Sequence, residues 1–176
     1  MNALRKVCIE DLRELCRKTT RSEKEKYEFS LCPGGLPRGV LIELAGFGKT
    51  EVLIQLLKEN PKLRVAWIEE SLTIYPSAVA QRSVALSRVL FIEAHAEIFW
   101  ATYQVLRSNL FDCVVLSSKR KYDEKNLRRL QLETEKGNVG FFLLTDELHK
   151  AWPIAWQLEV DRKVSMTKLN LVRERN

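Results

Sequence analysis

The chain has 176 residues, 45% of them hydrophobic and 30% charged, with a formal net charge of +6. That length and apolar content suffice to bury one core without a metal or disulfide staple, so a single domain is expected. No apolar run is long enough to cross a membrane, and the opening MNALRKVCIEDLREL lacks the centre and cleavage pattern of a secretion signal, so a cytoplasmic chain with no membrane partner is expected.

Leu4, Cys8, Leu12 and Leu15 recur at helical spacing and predict an amphipathic N-terminal helix. The charged stretch from Arg17 to Lys26 reads as its end and a linker, so residues 1–30 divide from a core over 31–176 that opens at the Pro33-Gly34-Gly35 turn. Within that core, Val40–Leu44 is the first predicted strand and Thr50–Lys58 the helix after it. Arg64–Ile68 is the second strand. The run VLFIEA, near Ser87–Glu93, supplies a third, followed by a helix over Ala96–Ser108 with Ile98, Ala101, Val105 and Leu106 inward. Asp112–Leu116 is apolar without a break from Cys113 onward, as expected of a strand covered by helices on both faces. A helix over Asp123–Lys136 and a strand over Gly140–Leu144 complete the alternation. The pattern predicts a mostly parallel α/β sheet, and AWPIAWQLEV and MTKLNLVRE predict a terminal antiparallel hairpin.

Cys8, Cys16, Cys32 and Cys113 are too far apart for a compact metal or redox motif and read as reduced small hydrophobes. The chemically suggestive segment is Gly46-Phe47-Gly48-Lys49-Thr50, between the first strand and its helix. In a phosphate-binding loop, glycine-rich backbone N–H groups surround phosphate, a lysine neutralises it and a threonine hydroxyl holds magnesium. Here the spacing fails: Glu43 stands where the first glycine belongs, and starting at Gly46 leaves only Phe47 before Gly48-Lys49. A tight structural turn with Thr50 capping the helix accounts for the same residues, and no cofactor is expected. Asp112 precedes its apolar run and so lies roughly 15 Å from the strand end where a magnesium carboxylate is needed. Glu69 and Glu70, after the second strand, are the other acids that can face the ligand edge.

GGLPRGVLIELAGFGKT, VAWIEESLTIYP, LRSNLFDCVVLSS and LRRLQLETEKGNVGFFLLT, taken in order, resemble the RecA-like superfamily, and within it the ImuA/SulA branch associated with bacterial DNA-damage responses. The resemblance covers roughly Gly34–Asp146 and implies a RecA-like, mostly parallel core flanked by helices. It also implies positions. With Pro76 aligned, Glu69 takes the first acidic place and Ser71 that of the catalytic glutamate; Lys49 and Thr50 take the phosphate and magnesium places. The magnesium aspartate falls at Leu116 or Ser117, and a polar switch residue near Thr145 or Asp146. Serine is no carboxylate base, so the resemblance implies a degenerate nucleotide site at Gly46, Gly48, Lys49 and Thr50 and a noncatalytic accessory protein of SOS-linked mutagenic translesion synthesis. Its partners would be a polymerase-related protein and a recombinase, with DNA reached directly or through them. The alternatives are a divergent ATPase completed by a partner and a SulA-like inhibitor of cell division.

Two contact surfaces follow from residue type. Lys119, Arg120 and Lys121, followed by Lys125, Arg128 and Arg129, suit phosphate or an acidic protein surface if they share one edge; a solvated helix with local ion pairs is the other reading. Among the tryptophans, Trp67 is expected in the core and Trp100 against the sheet, while Trp152 and Trp156 are the interface candidates. His95 and His149 lack a ligand pattern and read as structural or surface residues.

Overall fold

The computed structural model describes residues 26–163 and 166–175; the helix expected around Leu4–Leu15 lies outside them. A short hairpin of β1 (Lys26–Tyr27) and β2 (Leu36–Pro37) precedes the main sheet. Tyr27 and Phe29, just beyond the charged stretch expected as linker but within residues 1–30, are buried in the core. The Tyr27 ring lies over Gly140, where an added Cβ would sit 2.3 Å from its hydroxyl oxygen, and that hydroxyl donates to the Asp112 carbonyl at 2.6 Å. Burial raises the pKa of this phenol.

The sheet has seven strands in the order β5-β4-β6-β7-β3-β8-β9. They are β3 (Leu41–Gly46), β4 (Val65–Glu69), β5 (Val89–Glu93), β6 (Cys113–Ser117), β7 (Gly140–Thr145), β8 (Trp156–Lys163) and β9 (Met166–Glu174). All pairings are parallel except β8 with β9, the predicted hairpin. The connecting helices are α1 (Lys49–Glu59), α2 (Pro76–Gln81), α3 (Ile98–Ser108) and α4 (Glu124–Gly137).

Period-two alternation sends neighbouring side chains of each central strand into different cores. Cys113 and Val115 join Ile42, Trp67 and Phe142 beneath α1 and α2, whereas Val114 and Leu116 join Leu41, Ile68 and Phe141 beneath α3 and α4. Both faces are covered, which is why the β6 segment carries no polar residue before Ser117. Burial of the Cys113 thiol pushes its pKa up to about 12, so it is an inert core residue at neutral pH.

Helix ends follow local chemistry. Asp123 caps α4, its carboxylate accepting from Asn126 N at 2.7 Å. Asn109 and Asn138 end α3 and α4 in the left-handed conformation. α1 differs from the expectation: its N-cap is Gly48, at φ 94°, and no side chain caps it, so Thr50 lies one residue inside the helix. Trp100 also differs. Ile98, Thr102 and Leu106 form the inward row of α3, and Trp100, about 200° around the helix from Ile98, is 59% exposed.

The segment 146–155 passes from β7 across β3 to β8 on the α4 side, burying Ala151 and Ile154. Glu43 holds it there. This fully buried carboxylate in mid-β3 accepts from Thr145 Oγ1 at 3.0 Å, from Gln157 Nε2 at 2.6 Å and from the His149 backbone N–H, and it contacts His149 Nδ1 at 2.6 Å. His149 Nε2 in turn accepts from Tyr122 N at 3.4 Å, which fits a neutral ring with its proton on Nδ1. Glu43 therefore lies about 10 Å from the end of β3 and on the side away from α1, so its role is to anchor the crossover and it does not repel a ligand at the loop.

Candidate functional site

In an open α/β sheet the crevice beyond the carboxyl ends of the strands is where ligands bind. Here the ends of β4, β6 and β7 and the start of α1 surround an open cleft of about 380 Å³, within the size range of small-ligand sites. Lys49 and Thr50 reach it from α1, Glu69, Ser71 and Thr73 from β4 and the segment after it, and Ser117 and Lys119 from the end of β6. Of the positions implied by the family resemblance, Lys49, Thr50, Glu69, Ser71, Ser117 and Asp146 line this cavity, whereas Gly46, Gly48, Leu116 and Thr145 do not.

The lysine loop is as short as its spacing demands. β3 ends at Gly46, Phe47 and Gly48 turn, and α1 begins at Lys49. Phe47 is 80% exposed. Gly46 has a reason unconnected with phosphate: at φ 99° a side chain is strained, and a Cβ there would lie 2.5 Å from the Val160 carbonyl oxygen of β8. The Lys49 ammonium donates to Asp146 Oδ1 at 2.6 Å. That hydrogen bond and the adjacent positive charge hold the Asp146 carboxyl below the usual aspartate range. Asp146, placed by the resemblance near a switch position, is thus the partner of the loop lysine; that pairing is tertiary, across 97 residues of sequence.

Glu69 is also occupied. Its Oε1 accepts from Trp67 Nε1 at 3.0 Å, and its Oε2 from Thr73 N at 2.5 Å, Thr73 Oγ1 at 3.0 Å and Ile74 N at 3.3 Å. The carboxylate closes the segment between β4 and α2. Glu70 is bound by Ser118 Oγ at 2.9 Å and Arg120 Nε at 2.8 Å, linking the β4 and β6 ends. Ser71, at the implied base position, is exposed; Leu116 is buried, and Ser117 reaches the cleft only with a hydroxyl. Among the described residues no group of His, Cys, Asp and Glu side chains has the arrangement to hold a metal ion. Asp112 is at the far end of β6, accepting from Arg64 N at 2.9 Å, as its place before the strand predicts.

The basic residues divide between two places. Lys119, Arg120 and Lys121 lie in the β6–α4 connection at the cleft rim, where Arg120 pairs with Glu70 and Lys121 lies 3.7 Å from Glu147. Lys125, Arg128 and Arg129 lie on α4. Arg128 stacks over the Trp152 ring at 5.2 Å, and Arg129 over Phe99 and Tyr103 of α3 at 5.9 and 5.6 Å. Trp152 is 45% exposed, while Trp156, at the start of β8, packs against the α1-side core and is no free anchor. Residue type alone does not reveal the Arg-on-aromatic arrangement, although Phe99, Tyr103 and Arg107 at four-residue spacing form a legible helical row.

No helix among the described residues is long and apolar enough to cross a membrane. The chain matches no protein-family model and no curated protein.

Proposed function

We propose that the chain is a RecA-like core whose nucleotide site has degenerated and that it acts as a noncatalytic adaptor in DNA-damage tolerance, positioning a polymerase-related partner or coupling it to DNA-bound recombinase. The observation that carries this reading is the Lys49–Asp146 pair beneath a loop of only Phe47 and Gly48. A phosphate cradle needs several converging backbone N–H groups and a lysine able to turn to the anion. Here the loop is too short for the first, and the second is engaged by a carboxylate. The engaged oxygens of Glu69 and the serine at position 71 support the same reading, because in-line attack by water needs a base within hydrogen-bond reach. A mostly parallel sheet that ends in an antiparallel hairpin agrees with the RecA-like resemblance.

Affinity isolation of the full chain from cells before and after DNA damage tests the adaptor function. Damage-dependent enrichment of a polymerase-related protein or a recombinase is the expected result. Recovery of the tubulin-like division protein alone would replace this reading with cell-division inhibition. A divergent ATPase would reveal itself by partner-dependent hydrolysis that disappears in Lys49→Ala.

A further inference from the structure

Across α3 and α4 runs a band in which cations lie on rings. Arg107 is 5.7 Å from the Tyr103 centroid, Arg129 covers Tyr103 and Phe99, and Arg128 covers Trp152. Trp100, three residues before Tyr103 on the same helix, is 59% exposed. We infer that this band is a binding surface for single-stranded DNA, with the arginine forks meeting phosphates and Trp100 offering a stacking platform to a base.

Three observations carry it. First, a ring beneath a guanidinium fixes its plane and leaves the N–H edge directed outward. The ring neutralises nothing, so an anion meets a pre-oriented, charged donor at reduced entropic cost. Second, among the described residues no carboxylate forms an ion pair with Arg107, Arg128 or Arg129. Arg107 is the single charged residue of α3, and the first two turns of α4 carry Lys125, Arg128 and Arg129 against Glu124. Of the remaining acids of α4, Glu133 pairs with Lys136 at 2.7 Å, whereas Glu135 accepts from the neutral Gln131 at 2.8 Å and keeps its charge; Gln131 also accepts from Arg128 at 2.9 Å. Of the flanking groups, Glu97 lies just ahead of α3 and Asp123 caps α4, while Lys119 lies toward the sheet edge, where Lys121 faces Glu147. Third, cations alternate with exposed aromatic surface. An acidic peptide would satisfy the arginines but would have no use for the open indole. A duplex keeps its bases stacked on each other. A single strand uses both features, since every base has a face to stack and every linkage a charge. The band distinguishes strand and charge; that the strand is DNA rests on the function proposed above, so RNA is one arm of the test.

The test is fluorescence anisotropy of the full chain with labelled oligo(dT) of about 20 nucleotides, longer than the roughly 4–16 that a single module covers. Oligo(U), a duplex and poly-glutamate competitor run in parallel. The double variant Arg107→Gln/Arg129→Gln should weaken oligo(dT) binding at least about tenfold and reduce the slope of log affinity against log salt by roughly 1.4, or about 0.7 for each phosphate that is no longer neutralised. Trp100→Ala should weaken it by about fivefold or more, with Trp100→Phe retaining most of the affinity and thermal unfolding confirming that each variant folds. Wild-type indole fluorescence should be quenched on saturation, a readout that needs no variant. Unchanged affinity in the double variant or in Trp100→Ala, or equal binding of duplex, overturns the assignment. Displacement by poly-glutamate at matched charge overturns it in favour of an acidic protein, and tighter binding of oligo(U) overturns the choice of DNA. The measurement uses no partner protein, so failure of the adaptor function alone would leave its outcome intact.

Discussion

The carboxyl edge of the sheet and the outer face of α3 and α4 both carry cations, and they hold them in opposite ways. At the edge, Lys49 is tied to Asp146 and Arg120 to Glu70, so each charge has an opposite partner within the chain. On the helical face, Arg107, Arg128 and Arg129 rest on rings that orient them and leave their charge in place. A lysine in a suggestive motif and an arginine in an ordinary helix can exchange importance once their partners are known. What fixes a cation decides what it can still bind.

If the edge is part of the fold's framework and the helical face is not, substitutions in the two regions should separate stability from binding. The largest effect belongs to Glu43→Ala, which strips a buried carboxylate from the donors of Thr145, His149 and Gln157. Leaving them unpaired should cost about 3–5 kcal/mol in urea unfolding, with Glu43→Gln recovering part of the loss. A cost near zero would mean that the crossover segment is held by something else. Next comes Gly46→Ala. Its positive φ and the close approach of the Val160 carbonyl predict a loss on the order of 2 kcal/mol, measured by the same titration, with no dependence on added nucleotide. A purely phosphate-binding glycine would lose nothing in stability.

Arg107→Gln/Arg129→Gln should lower stability by about 1 kcal/mol or less, the range for exposed cation–ring pairs, while removing most oligonucleotide affinity. The smallest effect is Asp146→Asn, an exposed pair worth at most about 1 kcal/mol. The folded-state pKa of Asp146 is depressed by Lys49, so the pair contributes above the ordinary aspartate pKa and its contribution is lost as pH falls through the lowered value. A stability–pH curve of Asp146→Asn should therefore match wild type in strong acid and fall slightly below it near neutrality.

Much of this architecture is legible in the residues. The unbroken apolarity of Cys113–Leu116 signals a strand covered on both faces, and the alternation of the last segments signals the hairpin. The failed glycine spacing before Lys49 foretells a loop of two residues. Other features depend on long-range placement. Glu43 reads as an intruder in a phosphate loop, because nothing local reveals that His149 and Gln157, more than a hundred residues on, point their donors at it. Thr50 reads as a cap, but the left-handed turn at Gly48 starts the helix one residue earlier. Trp100 reads as a packing residue because it is large and apolar; its place on the helix, opposite Ile98, turns it outward. The basic cluster is visible, yet its division into paired rim residues and ring-stacked helical arginines requires the fold to bring α3, α4 and Trp152 together.

Calorimetric titration of magnesium-ATP into the wild-type chain tests most directly whether the edge has spent its charges on itself. With Lys49 held by Asp146 and no room for a cradle between Gly46 and Lys49, binding should be unsaturable or weaker than about 1 mM. Saturable, magnesium-dependent binding well below that concentration, abolished by Lys49→Ala, would mean that the loop still holds a nucleotide.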